Sequence, residues 1–150
     1  MSFRGTFDHS LDAKHRLTIP SKFRGSLANG VVLAASPEIR KDSPRALSIW
    51  PPQHYEEYMS TMLAGLNPAS RTARELKRFY SATSYDVELD GANRVMIPPE
   101  LMRYAGLDKE VVVIGSGDCL EVFDRAKYRE NLEQLTRDIS DLTASLGDTA

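Results

Sequence analysis

Two pairs of oppositely charged residues occur at the same spacing in this 150-residue chain. The segment LDAKHRLTIP contains Asp12 four residues before Arg16, and the segment LDGANRVMIP contains Asp90 four residues before Arg94. An aspartate carboxylate accepts backbone N–H groups within a turn, and it also forms ion pairs with a nearby guanidinium. Each segment therefore predicts a turn in which an aspartate either bonds the backbone or pairs with the arginine.

The residue before each arginine favours a tight turn. His15 and Asn93 occupy that position, and both residue types are enriched at positive φ relative to other non-glycine residues. Two interpretations remain open. The Asp–Arg pair shapes the turn and orients the strands, or the turn presents Arg and Lys outward to a partner. Catalysis by Asp12, His15 and Arg16 lacks support, because no Gly-rich phosphate loop, metal-ligand set or catalytic triad accompanies them.

The two segments belong to a longer internal repeat. VVLAAS (31–36) aligns with VVVIGS (111–116), and LSIWPPQHY (47–55) aligns with LEVFDRAKY (120–128). Apolar, β-branched runs that end at proline predict strands, and proline near a helix start predicts the short helices that follow. Each half therefore reads strand, turn, strand, short helix, strand, strand, longer helix. This pattern indicates a duplicated α+β unit.

Two helices extend this pattern. Residues 68–82 (PASRTARELKRFYSA) predict a helix that has no counterpart in the second half. A final helix begins after Asp124, which is a suitable N-cap residue. Its apolar residues recur with the 4-3-4-3-4 spacing of a coiled-coil seam, at Tyr128, Leu132, Leu135, Ile139, Leu142 and Leu146. We expect this seam to pack either on its own domain or on a neighbouring chain.

Charge is distributed unevenly between the halves. Residues 1–85 carry 12 Lys and Arg against 7 Asp and Glu, a net charge of +5. Residues 86–150 carry 7 against 14, a net charge of −7. Such asymmetry indicates an anionic partner for the first half, or simply a more soluble second half.

Composition narrows the class of protein. With 41% hydrophobic and 27% charged residues, the chain has the composition of an ordinary globular protein. No apolar run is long enough to cross a bilayer, and the first ten residues lack the apolar stretch of a signal peptide. The single cysteine, Cys119, excludes an internal disulfide, and three scattered histidines offer no metal-ligand spacing. We expect a cytoplasmic protein that has no membrane segment, metal or cofactor and is not an enzyme.

The repeated motif and its context resemble the MraZ family, bacterial regulators of the division and cell-wall gene cluster. The resemblance is carried by the segments FRGTFDHSLDAKHRLTIPSKFR, SIWPPQHYEEY, SRTARELKRFY and ELDGANRVMIPPEL. It implies an α+β fold of two tandem swapped-hairpin modules of the SpoVT/AbrB type, which share a β core with flanking helices. The family usually has glycine at the positions of His15 and Asn93.

On this basis we divide the chain into four segments. Residues 1–60 are assigned to the first SpoVT/AbrB-like repeat, residues 61–82 to a linking helical segment and residues 83–128 to the second repeat. Residues 129–150 are assigned to a C-terminal helix and tail.

The resemblance also implies a function. It predicts a sequence-specific DNA-binding regulator that assembles into a ring-shaped homo-oligomer and associates with the nucleoid. The implied ligand is double-stranded DNA with G-rich direct repeats upstream of the division and cell-wall gene cluster. The alternative is an assembly module, antitoxin-like and of the same fold, that does not read DNA directly. The net charge of −2 favours this alternative.

Residue chemistry selects the candidates for DNA binding. Arginine reads guanine O6 and N7, and lysine contacts phosphate. The candidates lie in or beside the two motifs: Arg4, Lys14, Arg16, Lys22, Arg24 and Arg94. The first motif is richer in cations, because the second has Ala92 and Glu100 where the first has Lys14 and Lys22. We therefore expect the first repeat, and Arg16 in particular, to contribute most to DNA recognition.

Overall fold

The computed structural model describes the backbone of residues 2–148 and the side chains of residues 2–147. The first half comprises β1 (Thr6–Ser10), β2 (Arg16–Thr18), β3 (Val31–Ser36), β4 (Ala46–Trp50), α1 (Pro52–Leu63) and α2 (Arg71–Ala82). The second half comprises β5 (Ser84–Val87), β6 (Arg94–Met96), α3 (Pro99–Ala105), β7 (Glu110–Gly115), β8 (Leu120–Asp124) and α4 (Arg125–Asp148). The predicted repeat of elements is confirmed, and so is the additional helix, which is α2.

The short helix of the first half differs from its counterpart α3. The chain after Pro20 forms two 3₁₀ turns, Ser21–Phe23 and Gly25–Leu27, instead of an α-helix. Gly25 occupies the position that Arg103 has in α3, and glycine disfavours an α-helix by about 1 kcal/mol relative to alanine.

Strands of the two halves combine in one six-stranded antiparallel sheet. The order is β1-β7-β8-β4-β3-β5, so β1 of the first half pairs with β7 of the second. Conversely, β5 of the second half pairs with β3 of the first. Each half thus gives its first strand to the other. This exchange is the swapped-hairpin arrangement that the resemblance implies, and the predicted α+β fold is confirmed.

Strands β2 and β6 form a separate two-stranded antiparallel ribbon. Leu17 and Val95 are directly paired in this ribbon and are fully buried. They join the main core together with Leu33, Ile49 and Val113 of the large sheet. Burial of an aliphatic side chain contributes about 1.5–3 kcal/mol, so this layer fixes the ribbon against one face of the sheet.

Helix α1 covers β3 and β4 on the opposite face of the sheet, and α2 packs against α1. Trp50 and Tyr55 form a second, smaller core there with Val32, Ala34 and Cys119. Tyr55 donates a hydrogen bond from its hydroxyl to the carbonyl oxygen of Tyr80 in α2, at 2.9 Å. Burial raises the pKa of the Cys119 thiol to about 12, so this cysteine is an unreactive core residue.

Helix α4 packs along β7 and β8 on this same face. The rings of Phe123 and Tyr128 have centroids 5.1 Å apart. Arg125 donates from Nη2 to the carbonyl oxygen of His9 at 2.7 Å, and Arg129 donates from Nη2 to the carboxylate of Asp8 at 2.7 Å. These contacts fix the first turns of α4 to strand β1.

The four-segment division of the chain stays a prediction. Helix α4 begins at Arg125, inside the segment that we assigned to the second repeat. The strand exchange also gives the two repeats a common core rather than two separate ones.

Candidate nucleic-acid interface

The Asp12 turn is closed by side-chain and backbone hydrogen bonds. Oδ1 of Asp12 accepts the backbone N–H groups of Lys14 and Arg16, each at 2.9 Å. Oδ2 accepts Nε of Arg16 at 2.6 Å, and the carbonyl oxygen of Asp12 accepts the N–H of His15 at 3.0 Å. His15 has a φ of 58°, so it adopts the left-handed conformation that the sequence predicts for it.

The Asp90 turn repeats this geometry. Oδ1 of Asp90 accepts the N–H of Ala92 at 2.8 Å and that of Arg94 at 2.9 Å, and Oδ2 accepts Nε of Arg94 at 2.9 Å. Asn93 has a φ of 59°. Both turns therefore use a polar residue in a conformation that otherwise favours glycine.

The turns keep both carboxylates charged. The backbone N–H of Arg16 is the main cause that holds the pKa of Asp12 below its ordinary value, and the N–H of Arg94 does the same for Asp90. Each carboxylate in turn holds its arginine through Nε. Nε carries only one of the five N–H donors of a guanidinium, so this bond leaves the Nη donors for other acceptors.

The β2–β6 ribbon brings the two turns together. The N–H of Ile19 donates to the carbonyl oxygen of Asn93 at 3.0 Å, and the N–H of Ile97 donates to that of His15 at 2.9 Å. Nη1 of Arg94 lies 3.8 Å from Oδ2 of Asp12. The two motifs are therefore neighbours in space, although they are 78 residues apart in the chain.

Both arginines lie on the outer face of the ribbon. Side chains alternate along a strand, and Leu17 and Val95 face the core. The outer face consequently presents Arg16, Thr18, Arg94 and Met96. Met96 is 57% exposed. Sequence reasoning identified the arginines but missed Thr18 and Met96, which alternation relative to Leu17 and Val95 could have indicated.

The first turn adjoins a groove that carries charges of both signs. An open groove of about 780 Å³ adjoins the first turn and is lined by Arg103, Lys109 and Asp108 of the second repeat, among others. The strand exchange thus places Arg103 and Lys109 of the second repeat, together with Asp108, beside the first turn. Sequence reasoning missed these residues because they lie far away in the chain.

The two turns differ in charge at one equivalent position. Lys14 is exposed in the first turn, whereas its counterpart Ala92 has no charge. The electrostatic advantage of the first turn stays a prediction, and Lys14 is the observation that supports it.

Two further candidates follow β2: Lys22 lies in the first 3₁₀ turn, and Arg24 lies between the two turns. The ring of Phe23, between them, packs 5.3 Å from the ring of Phe3. Nζ of Lys22 lies 5.6 Å above the Phe23 ring, and Nε of Arg24 donates to the carbonyl oxygen of Ile19 at 3.1 Å. Arg24 therefore stabilises the chain after β2, whether or not it contacts a ligand.

Arg4 is separated from the ribbon turns. It precedes β1 and is six residues before Ser10, the end of that strand that leads to Asp12, so an extended chain places it about 20 Å away. The structure thus gathers Lys14, Arg16 and Arg94 around the ribbon. Arg24 lies beside the second turn, because it bonds Ile19, whose N–H bonds the carbonyl oxygen of Asn93.

The residues that the structure describes show neither a metal centre nor a membrane span. Within 2–148, no group of three or more His, Cys, Asp or Glu side chains is placed to hold a metal ion. Over the same range, no helix combines the length and the apolar character needed to cross a bilayer.

The exchanged strands and the paired Asp-x-x-x-Arg turns define a tandem swapped-hairpin protein of the SpoVT/AbrB type. A family model described as "MraZ protein, putative antitoxin-like" matches residues 2–79 and 81–146. The chain belongs to the MraZ family.

Individual relatives agree with this assignment. The protein is 35% identical to the transcriptional regulator MraZ of Mycoplasmoides gallisepticum over 97% of this chain and 98% of that protein. It is 30% identical to the transcriptional regulator MraZ of Lachnoclostridium phytofermentans over 97% of both chains. The corresponding values for Mesoplasma florum are 34% identity, 85% of this chain and 84% of that protein. The resemblance identified from the sequence is confirmed.

Proposed function

We propose that this protein is a transcriptional regulator that binds double-stranded DNA sequence-specifically through the outer face of the β2–β6 ribbon and its two turns. The main support is that two aspartate-held arginines, Arg16 and Arg94, share that exposed face. The major groove of B-DNA is wide enough to admit a two-stranded ribbon. The names of the relatives, transcriptional regulators, agree with this role.

Arg16 and Arg94 are the proposed readers of bases. An arginine recognises guanine through two parallel hydrogen bonds to O6 and N7. Asp12 and Asp90 hold each guanidinium through Nε, which reduces the conformational freedom lost when the Nη groups bind. The carboxylates are thus positioning groups that remain charged at neutral pH.

Lysines and arginines around the first turn are the proposed phosphate contacts. Lys14 is exposed in the turn, and Arg103 and Lys109 line the adjoining groove. Phosphate contacts fix the register of a protein on DNA without reading sequence. We assign Arg4, Lys22 and Arg24 to the flanking backbone, where DNA that extends beyond the ribbon would reach them.

The proposed operator consists of G-rich direct repeats, and the proposed assembly is a closed ring of identical chains in the cytoplasm, associated with the nucleoid. One chain has one ribbon, so several chains in a fixed arrangement are needed to bind several repeats. A closed ring requires a heterologous contact between different surfaces of each chain. The halves of opposite net charge, +5 and −7, supply such surfaces.

Fluorescence anisotropy with a G-rich direct-repeat duplex and a scrambled duplex tests this function. We expect binding to the G-rich duplex to be about 10³-fold tighter or more, and to weaken as salt rises. The double variant Arg16→Ala/Arg94→Ala should lose the preference. Arg71→Ala is the matched control, because Arg71 is exposed on α2 and pairs with Glu75 away from the ribbon. Equal affinity for the two duplexes would refute sequence-specific binding.

A protein-binding assembly module is the second candidate. The net charge of −2 and the exposed apolar residues of α4 favour it. On this alternative neither duplex is bound at physiological salt, and the Arg16→Ala/Arg94→Ala variant behaves as the wild type in every assay. The anisotropy experiment therefore separates the two candidates.

A further inference from the structure

Within the described residues, no helix covers α4 in the way that α2 covers its counterpart α1. Helix α1 follows β4 as α4 follows β8, so the two helices are equivalent in the repeat. Tyr55 and Tyr58 of α1 pack against Tyr80 of α2. No helix after α4 repeats α2 within the described residues, and α4 itself is 24 residues long against 12 for α1. The second half therefore has a longer helix with less cover.

The apolar seam of α4 is consequently exposed. Leu135 is 43% exposed, Ile139 53% and Leu146 70%. Leu142 is exposed as well, and Ile39 from the β3–β4 loop lines the same small cavity as Leu135. Large apolar side chains that adjoin one another on a surface mark an interaction site more often than scattered ones do.

We propose that two copies of this chain pair through antiparallel α4 helices along the seam formed by Leu135, Ile139, Leu142 and Leu146. The contact is isologous, since the same surface serves on both chains. It differs from the heterologous contact of a ring and does not depend on DNA binding.

The spacing of the seam matches an antiparallel pair. When the two helices cross between residues 140 and 141, Leu135 meets Leu146 of the second copy and Ile139 meets Leu142 of the second copy. The reverse pairs complete four apolar layers. The seam rises about 1.5 Å per residue, so these layers span about 17 Å of each helix. Each apolar side chain of the set thus has an apolar counterpart.

The residues that flank the seam permit two identical helices to approach. Coiled-coil flanks are occupied here by Thr136, Asp138, Thr143 and Ser145. Only Asp138 is charged, and its carboxylate pairs with Nη1 of Arg40 at 2.8 Å. Like charges therefore do not oppose each other along the contact. On the polar side Glu133 and Asp141 accompany Arg137, which disfavours an anionic membrane or DNA as the occupant.

The attachment of α4 to its own domain favours the antiparallel direction. Arg125 and Arg129 fix the first turns of the helix to β1 through His9 and Asp8. An antiparallel pair places the two sheets at opposite ends of the contact, whereas a parallel pair brings the two sheets against each other. The helix is already formed and held, so pairing does not have to order it.

Disulfide formation between variants with one introduced cysteine tests the pairing and its direction. Ile139→Cys and Leu142→Cys proteins are mixed and oxidised, and Ser140→Cys is the control at an exposed neighbouring position. The native Cys119 is buried, so it does not compete. We expect the mixed disulfide, which joins position 139 of one copy to position 142 of the other, to form at least about 10-fold faster than either homodimer or the control. The antiparallel pairing is overturned if either homodimer forms as fast as the mixed disulfide, or if no cross-link forms.

Sedimentation of full-length variants gives an independent readout. Ile139→Asp is expected to halve the assembly mass at micromolar concentration with unchanged far-UV circular dichroism, and Ser140→Asp to leave the mass unchanged. An unchanged mass for Ile139→Asp overturns the proposal. If Ile139→Asp lowers the mass but the mixed disulfide does not form, the seam contacts a different surface of a second copy, or another partner. This result also overturns α4 pairing.

Discussion

At the scale of single residues, the two arginines are held by aspartates in the same way but have different neighbours. Arg16 and Arg94 are each held through Nε by an aspartate four residues earlier. The first turn adds Lys14 and adjoins the groove lined by Arg103, Asp108 and Lys109. An arginine surrounded by cations meets DNA at a higher local positive potential, because each phosphate contact adds to the affinity. Because Lys14 has no charged counterpart in the second turn, we expect Arg16 to contribute more than Arg94.

We accordingly predict that Arg16→Ala weakens binding to a G-rich direct-repeat duplex more than Arg94→Ala does. Loss of a bidentate guanine contact should cost about 1–3 kcal/mol and relax the base preference. Anisotropy titrations against the G-rich and scrambled duplexes measure this loss, with the oligomer intact in both variants.

Lys14→Ala provides the comparison for a phosphate contact. It should weaken binding to both duplexes equally and reduce the salt slope by roughly one unit. Equal losses for Arg16→Ala and Arg94→Ala would show that both turns meet DNA in the same way. An unchanged affinity for Arg16→Ala would leave the motif with a purely conformational role.

The aspartates of the turns make the stability of the fold depend on pH. The pKa of Asp12 is lowered in the folded protein, chiefly by the N–H of Arg16. Its charged form therefore stabilises the fold above the unfolded pKa of about 3.9, and this contribution is lost as pH falls through the lowered folded pKa. We predict that Asp12→Asn folds with a modest loss of stability at pH 7, and that its difference from wild type shrinks toward about pH 2, below the unfolded pKa. Urea unfolding across pH measures this, and a constant difference would contradict it.

Residue types and local spacing predicted the conformation of the turns but not their environment. His15 and Asn93 have the positive φ that their residue types and position suggest. The proximity of Arg103 and Lys109 to the first turn arises from strand exchange, and no pattern within the first repeat carries that information. Local chemistry can be derived from neighbours in the chain, whereas electrostatic surroundings depend on long-range pairing.

At the scale of elements, the order of strands and helices was predictable and the pairing was not. Hydrophobic runs, prolines and the repeat indicate β3, β4, β7, β8 and the helices after them. The same patterns are equally compatible with two independent modules, in which β1 would pair with β3. The family resemblance supplied the exchange that places β1 beside β7.

The N-terminal segment approaches β7 very closely, and Gly115 permits this approach. A Cβ added to Gly115 would overlap the backbone of Phe3 and Arg4. The N–H of Gly115 also donates to the carbonyl oxygen of Gly5 at 2.9 Å. Glycine is required here because backbone atoms, which cannot rotate away, occupy the space of a side chain.

We predict that Gly115→Ala destabilises the protein by about 1–3 kcal/mol, as overpacking of a core does. The N-terminal segment should also become more susceptible to proteolysis than in the wild type, because it must move to accommodate the methyl group. Gly91→Ala is the control, since an added Cβ there meets no atom within 4 Å. Urea unfolding at one protein concentration and limited proteolysis measure both effects. Equal stability of the two variants would contradict the prediction.

At the scale of the whole molecule, the two halves share a core yet differ in charge. The first 85 residues carry a net charge of +5 and the rest −7. A duplicated chain with unlike halves can form head-to-tail contacts between a surface of one half and the other half of the next chain. Such heterologous contacts close into rings when the rotation between neighbours permits it.

We therefore predict that the protein is an oligomer larger than a dimer at micromolar concentration and low salt, and that the oligomer loses subunits as salt rises. Opposite charges attract over a Debye length of about 10 Å at 0.1 M ionic strength but only about 3 Å at 1 M. Multi-angle light scattering across this salt range measures the mass, and Ile139→Asp serves as the control that leaves the head-to-tail contact unchanged. A single 16.8 kDa species at every salt concentration would exclude both the ring and the helix pairing, because each requires a second copy.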